Sequence, residues 1–282
     1  MTVMKRINLV LIRLSIFFLA LIFFNLITTA IAFYPITWDD LMFQMEKRMS
    51  WRRTIMETVV QVFDPFAKNV DGELSDQPVE LPARGFKQII HWKDGEVLVV
   101  ETLDEKGQLL HFYYEYNNDL LSISLNENRI FETEDILPRQ LRFRSRYEEE
   151  RSKALQEVGI VSKNITYYIH DDNHVFLRIG ELGSGNFALL NPKTYDLFSL
   201  HRRLWKEDGG WLDLQVIFKN YKTYRWQTYP EVIEYYLDKR LFKRVTISKI
   251  RTLSSLPTKT LKERALKLRR IKIATLKNDY AL

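Results

Sequence analysis

No cysteine occurs anywhere in the 282 residues. That absence excludes a disulfide scaffold, thiol catalysis and a cysteine-based zinc site. It also removes the lipobox of bacterial lipoproteins, so the chain is not itself lipid-anchored in that manner. No stretch matches a P-loop, a G-x-G-x-x-G turn, an H-E-x-x-H helix or a G-x-S-x-G elbow, which leaves phosphate cradling, zinc proteolysis and serine hydrolysis without a motif. No internal repeat is evident. Neither sign of charge dominates: 42 lysines and arginines face 36 acids, a formal net charge of +6. Such a surplus suits anionic surfaces and does not by itself argue for nucleic acid.

What is present in quantity is apolar. Hydrophobic residues make up 46% of the chain and aromatics 13%, enough for a substantial core. From Leu14 to Phe33 there is no charge at all. At a 1.5 Å rise that run spans about 30 Å, the thickness of a hydrocarbon layer. Lys5, Arg6 and Arg13 precede it, and Ala30-Ile31-Ala32 offers a signal-peptidase site with Phe33 as the new N-terminus. Residues 1–32 therefore read as a cleaved signal peptide or a retained membrane anchor. In both cases the basic end stays in the cytoplasm and the remainder is exported. An exported chain without disulfides fits a bacterial envelope better than a eukaryotic secretory route. The expected address is the bacterial periplasm, either free or anchored in the inner membrane and facing the periplasm.

After the apolar run, Thr37-Trp38-Asp39-Asp40 reads as a helix start, with Trp38, Leu41, Met42, Met45 and Met49 on one face. The methionine-rich stripe is either ordinary core or the lining of a greasy cavity. Thr58 to Phe63 has strand character, and Lys68 to Pro82 reads as a loop. A meander follows: Phe86–Trp92, Val97–Leu103, Gln108–Tyr116 and Leu120–Leu125, separated by Asp-Gly, Lys-Gly and Asn-Asn turns. Ser145-Arg146-Tyr147-Glu148 has the spacing of a capping box, and Gly159 stands where a glycine would end the helix. Strands then resume as Ile165–His170, His174–Ile179, Asn186–Leu190, Tyr195–Leu204, Trp211–Tyr221, Val232–Leu237 and Leu241–Ile250. Ten or eleven strands imply a mainly β (α+β) chain. A single antiparallel sheet of that size must curl or close, so the expected form is an incomplete barrel around short helices. The expected division is 1–32 signal or anchor, 33–258 β domain and 259–282 basic helical tail. In the tail Lys262, Arg264, Lys267, Arg269, Arg270 and Lys272 are opposed by Glu263, and Leu261, Leu266, Leu268, Ile271 and Ile273 form no clean stripe. It reads as a solvated helix or a contact for anionic headgroups.

Candidate chemistry is thin. His170-Asp171-Asp172-Asn173-His174 is the one dense group of ligand-type residues, but it occupies a hairpin tip where Asp and Asn suit the turn itself. His91, His111 and His201 each lie in a strand among apolar neighbours. No metal site, catalytic residue or cofactor is expected. Aromatics interleave with charge from Tyr221 to Tyr236, but Glu231 and Glu234 balance the bases, so no nucleic-acid partner is expected.

The segment LQVIFKNYKTYRWQTYPEVIEYYLDKRLFKRVTISKI resembles the closing strands of the LolA-like outer-membrane lipoprotein-sorting family. Val216 to Tyr221 matches a strand ending in that family's pattern, followed by Pro230, the Ile233–Asp238 hairpin and the last strand Leu241–Ile250. NFALLNPKTYDLFSLHRRL is similar to an upstream hairpin, with Asn191, Lys193, Thr194 and Leu197 at recognisable places. Three departures are visible: Asp196-Leu197-Phe198 stands where a proline is expected, Lys239 stands where the turn is expected to carry glycine, and an extended basic tail follows the last strand. The resemblance implies a half-barrel whose apolar concave face holds acyl chains. It implies a non-enzymatic role in lipoprotein or lipid transport. The partners implied are lipid or lipoprotein acyl chains, the membrane surface and an envelope protein partner. Candidate cavity-wall residues are Trp38, Met42, Met45, Phe63, Phe112, Tyr114, Leu212, Leu214, Val216 and Tyr235. The rival reading is a membrane-tethered scaffold with a filled core and a partner-binding surface.

Overall fold

The computed structural model describes residues 36–49, 53–69, 71–75, 77–82, 85–94, 96–116, 119–125, 143, 145, 147–169, 174–206, 209–225 and 227–279. Residues 1–32, read above as signal or anchor, lie outside them. So do His170 to Asn173. Among the described residues no helix is long and apolar enough to cross a membrane.

From Trp38 onward the chain forms one compact unit. Its elements are α1 (Trp38–Met49), β1 (Arg53–Asp64), β2 (Val79–Glu80), β3 (Phe86–Lys93), β4 (Val97–Leu103), β5 (Leu109–Tyr116) and β6 (Asp119–Ser124). Then come α2 (Glu148–Glu157), β7 (Ile165–Ile169), β8 (Val175–Ile179), β9 (Phe187–Leu190), β10 (Leu197–Trp205), β11 (Trp211–Tyr224), β12 (Gln227–Leu237), β13 (Arg240–Thr252) and α3 (Thr258–Asp279). All 13 strands join one antiparallel sheet in the order β6-β5-β4-β3-β1-β13-β12-β11-β10-β9-β8-β7, with β2 beside β1. The sheet is open: β6 and β7 each pair on one side among the described strands. The meanders on either side of the centre are local hairpins. The long-range link is β1, which pairs with β3 and with β13 and so joins the two halves.

The sheet exceeds the ten or eleven strands implied by the sequence patterns. One reason is β2, which has two residues and no periodicity to read. Pro230 lies inside β12, paired with Tyr221 of β11. Proline can sit there because pairing with β13 ends at Val232, so its missing N–H is not needed on that side. Ser145 does not cap α2, contrary to the capping-box expectation. The N-cap position is Tyr147, without a side-chain bond. Ser145 Oγ instead donates to Asp94 Oδ1 at 2.5 Å and accepts from the Tyr147 N–H at 3.0 Å. Gly159 does end the helix. At φ +80° it donates to Gln156 O, and Ile160 N–H reaches back to Leu155 O, the paired bonds of a Schellman turn.

The two faces of the sheet carry different helices. Strand alternation and the pairing register put Met56, Ile90, Val100, Val245, Ile233 and Val216 on one face. Helix α1 lies against β12. The apolar side of β12 buries Ile233 and Tyr235, whereas the other side holds Glu234 in an ion cluster, so α1 belongs to the Met56 face. Helix α3 covers the opposite face at β4 to β6. Leu261, Ala265 and Leu268 pack with Val97, Val99, Phe112, Tyr114 and Leu256. The tail is therefore docked along one side, not solvated all round. The spacing 261, 265, 268 is a helical stripe, and it goes unnoticed from sequence because alanine supplies its middle member. Burying a leucine such as Leu261 there is worth about 2 kcal/mol, which holds the helix down.

Candidate functional site

Helix α1 presents Leu41, Met42 and Met45 to the interior, the two methionines at 3% and 0% exposure. It is tied to α2 by polar contacts. Trp38 Nε1 donates to Glu148 Oε1 at 2.7 Å, and Lys163 stands over the Trp38 ring at 5.1 Å. Donation by Trp38 holds the Glu148 carboxyl below its ordinary value; partial burial opposes this and Lys163 assists. Arg151 of α2 is 2% exposed. Its guanidinium donates to Ser145 O at 2.5 Å, to Met42 O at 3.2 Å and toward Met42 Sδ at 3.2 Å. Burial draws its pKa below the ordinary value, while Glu46, Glu148 and Asp94 pull the other way. A buried cation thus clamps the methionine side of α1 to α2.

The ten residues proposed from sequence as one cavity wall do not share a surface. Leu212, Leu214, Val216 and Tyr235 lie on the Met56 face, joined by the pairs Val216–Tyr235 and Leu214–Leu237. Trp38, Met42 and Met45 belong to α1. Phe112 and Tyr114 lie on the opposite face, beneath α3. Phe63 also alternates away from Met56, and Arg244 stands 5.6 Å from its ring. The physical reason is that β4 is buried on both sides from Val97 to Thr102, so alternation there marks no inside.

The Met56 face carries apolar residues out to the β7 edge, interrupted by half-buried Arg202, which pairs with Leu214. Tyr167, Ile169 and Val175 share it through the pairs Ile169–Val175 and Tyr167–Leu177. There they emerge at 41%, 68% and 45% exposure. Leu212 and Leu214 are half-buried between this rim and the covered centre. One cation was missed from the sequence. Lys243 is buried on the same face, its ammonium 4.3 Å above the Tyr235 ring. The signal was available, since Leu241, Lys243, Val245 and Ile247 alternate along β13.

Two polar features lie elsewhere. On the far side of β12, Glu234 accepts from Lys219 at 2.5 Å, Tyr236 at 2.7 Å and Arg244 at 2.8 Å. Burial alone would raise the Glu234 carboxyl, but these donors outweigh it and hold it below the ordinary value. The bond to Glu234 raises Lys219 in turn. Beside this cluster a cleft of about 470 Å³ opens between the 64–78 loop and the β12–β13 turn, lined among others by Asp64, Ser75, Tyr236, Lys239, Arg240 and Arg244. Its charged lining does not suit an acyl chain.

Among the described residues, His91, His111 and His201 have separate surroundings. His91 Nε2 is 3.5 Å from Glu101, His111 contacts Ser122 at 2.8 Å, and His201 contacts Ser199 at 3.0 Å while stacking on Phe187. Among the described residues no group of His, Asp or Glu is arranged to hold a metal. The 170–174 cluster lies outside them except for His174.

No family model and no curated protein matches the chain by sequence. Among solved structures it is similar to a LolA superfamily protein from Nitrosomonas europaea, at 10% identity and TM-score 0.48, over 80% of this chain and 97% of that one. It is also similar to an outer membrane lipoprotein-sorting protein domain from Vibrio parahaemolyticus, at 13% identity and TM-score 0.46 over the same shares. A DUF1329 family protein from Desulfovibrio piger aligns at 11% identity and TM-score 0.40, over 77% of this chain and 92% of that one. At these identities the likeness concerns the fold alone.

Proposed function

We propose that the protein is a non-enzymatic component of the bacterial envelope that binds lipid or lipoprotein acyl chains on the Met56 face of its sheet. One observation carries the reading: apolar residues run along that face from its covered centre, through half-buried Leu212 and Leu214 with Arg202 beside them, to the exposed rim of Tyr167, Ile169 and Val175. An exposed apolar lip leading into an apolar interior suits a flexible hydrocarbon. Each buried methylene is worth about 0.8 kcal/mol, so eight of them offset about 6 kcal/mol of exposure. The methionines of α1 are unbranched and adapt to an irregular guest. Within this reading the lining is Trp38, Met42, Met45, Leu212, Leu214, Val216 and Tyr235, and an envelope partner would supply or receive the cargo. Export to the periplasm by residues 1–32 belongs to the same proposal.

The test is native mass spectrometry of protein purified from its own host, with a delipidated control, followed by exchange of a fluorescent fatty acid. The expected result is a co-purifying lipid that exchanges, with binding lost in Leu214→Glu. Absence of any co-purifying or exchangeable lipid defeats the reading.

The sealed state of Met42, Met45 and Met56 supports the rival reading of a tethered scaffold with a filled core. Mapping the mature N-terminus separates the two, since retention of Met1 to Ala32 favours the tether.

A further inference from the structure

We propose that the outward face of α3 docks the protein on an anionic lipid bilayer. The helix has a fixed rotation. Its apolar stripe of Leu261, Ala265 and Leu268 is engaged with β4 and β5. Arg264 Nη1 holds the buried Glu101 at 2.9 Å, and Lys262 stands 5.6 Å over the Tyr116 ring. At about 100° per residue, the side opposite the stripe carries Lys259, Lys267 and Arg270, whereas Arg269 turns back beside Lys262 toward the stripe. The three cations are exposed, and Glu263, which falls among them, is the one acid on the exposed surface between 259 and 271.

Leu266, 45% exposed, falls among these cations, and Ile271 is about half exposed beside them. Free solvent rewards the charges but not the leucine. A bilayer interface rewards both, since phosphates meet the cations and the acyl boundary takes the leucine. A single-stranded nucleic acid would call for stacking aromatics, and this face has none; a duplex would meet the cations but leave Leu266 without an apolar partner. Because the interior stripe is already engaged, the helix does not need to leave the sheet to bind. It lies on the face opposite Met56, so docking is independent of acyl binding, and either proposal can fail alone.

The experiment is flotation of the full chain, with the N-terminus it carries when purified. Vesicles of phosphatidylcholine alone are compared with vesicles containing added phosphatidylglycerol. The readout is the part of binding that depends on the anionic lipid. In wild type it is expected to be present and to weaken as salt rises. The triple variant Lys259→Glu/Lys267→Glu/Arg270→Glu is expected to lose it at least about tenfold. The variant Lys68→Glu/Lys153→Glu/Lys193→Glu makes the same change in net charge at exposed sites elsewhere and should bind as wild type does. If the α3 reversal fails to fold, the corresponding triple glutamine variant is read by the same criterion. No phosphatidylglycerol dependence in wild type, or equal loss in both charge variants, overturns the proposal. So does binding to duplex DNA or heparin without binding to the vesicles.

Discussion

Replacing Arg151 tests whether a buried cation holds α1 in place. The guanidinium makes two bonds to backbone carbonyls, of Ser145 and Met42, and one contact with a sulfur. A hydrogen bond from a charged donor is worth about 1.5–3 kcal/mol net. Burying the guanidinium costs several kcal/mol, which cancels much of that gain in the wild type. Arg151→Ala removes the bonds, strands the Ser145 carbonyl (that of Met42 keeps its helical partner) and opens a void, for an expected loss of about 3 kcal/mol. Arg151→Met strands the same Ser145 carbonyl but keeps the volume and discards the buried charge, for an expected loss of about 1 kcal/mol. At this domain size 1 kcal/mol moves the melting temperature by about 2–4 °C, so the alanine variant should fall by about 6–12 °C. Urea denaturation gives the free energies, and hydrogen exchange localises the effect, with amides of α1 losing protection before those of β1 and β13. A neutral alanine variant would refute the clamp. So would a methionine variant that costs as much as alanine, because the order rests on volume and charge acting separately.

Two further outcomes follow from local geometry. Glu234 has a folded pKa below its unfolded value, so its contribution is present above the ordinary carboxylate range near pH 4.3 and is lost as pH falls through the lower folded value. Acid titration of stability should therefore show a loss below about pH 4 that is absent in Glu234→Gln, while a wild-type-like acid limb in that variant would contradict the assignment. Asp238 and Lys239 form a two-residue turn with φ +47° and +67°, and Lys239 has the left-handed backbone without being glycine. Lys239→Gly should stabilise the protein by about 0.5–1 kcal/mol, read as a melting temperature about 1–4 °C higher.

Much of the strand layout was legible because hairpins are local. In the sequence, Asp94-Gly95, Lys106-Gly107, Asn117-Asn118 and Asp238-Lys239 read as turns between runs that alternate or are wholly apolar, and the described strands β3 to β13 fall where those runs lie. The candidate site was legible only in pieces. Leu212, Leu214 and Val216 alternate cleanly, and they do share the face on which Tyr235 lies. Phe112 and Tyr114 look equally apolar in sequence, yet they face α3, because both sides of the neighbouring β4 are buried. Arg151 reads as one more surface arginine in an acidic helix, and nothing nearby in the chain announces that Met42 and Ser145 supply its acceptors.

Composition and period alone determined the absence of thiol chemistry, the antiparallel β character, the apolar segment ahead of residue 33 and the helical basic tail. These depend on residues close together in the chain, where alternation, turn chemistry and charge act directly. Tertiary structure decided the rest: that β1 joins the two halves of the sheet, that α1 and α3 cover opposite faces, and which apolar residues look toward which helix. Those choices depend on contacts between residues a hundred or more positions apart, such as Trp38 with Glu148 or Arg264 with Glu101. A local pattern specifies that a side chain prefers burial, but only the pairing register and the docking of helices specify what buries it.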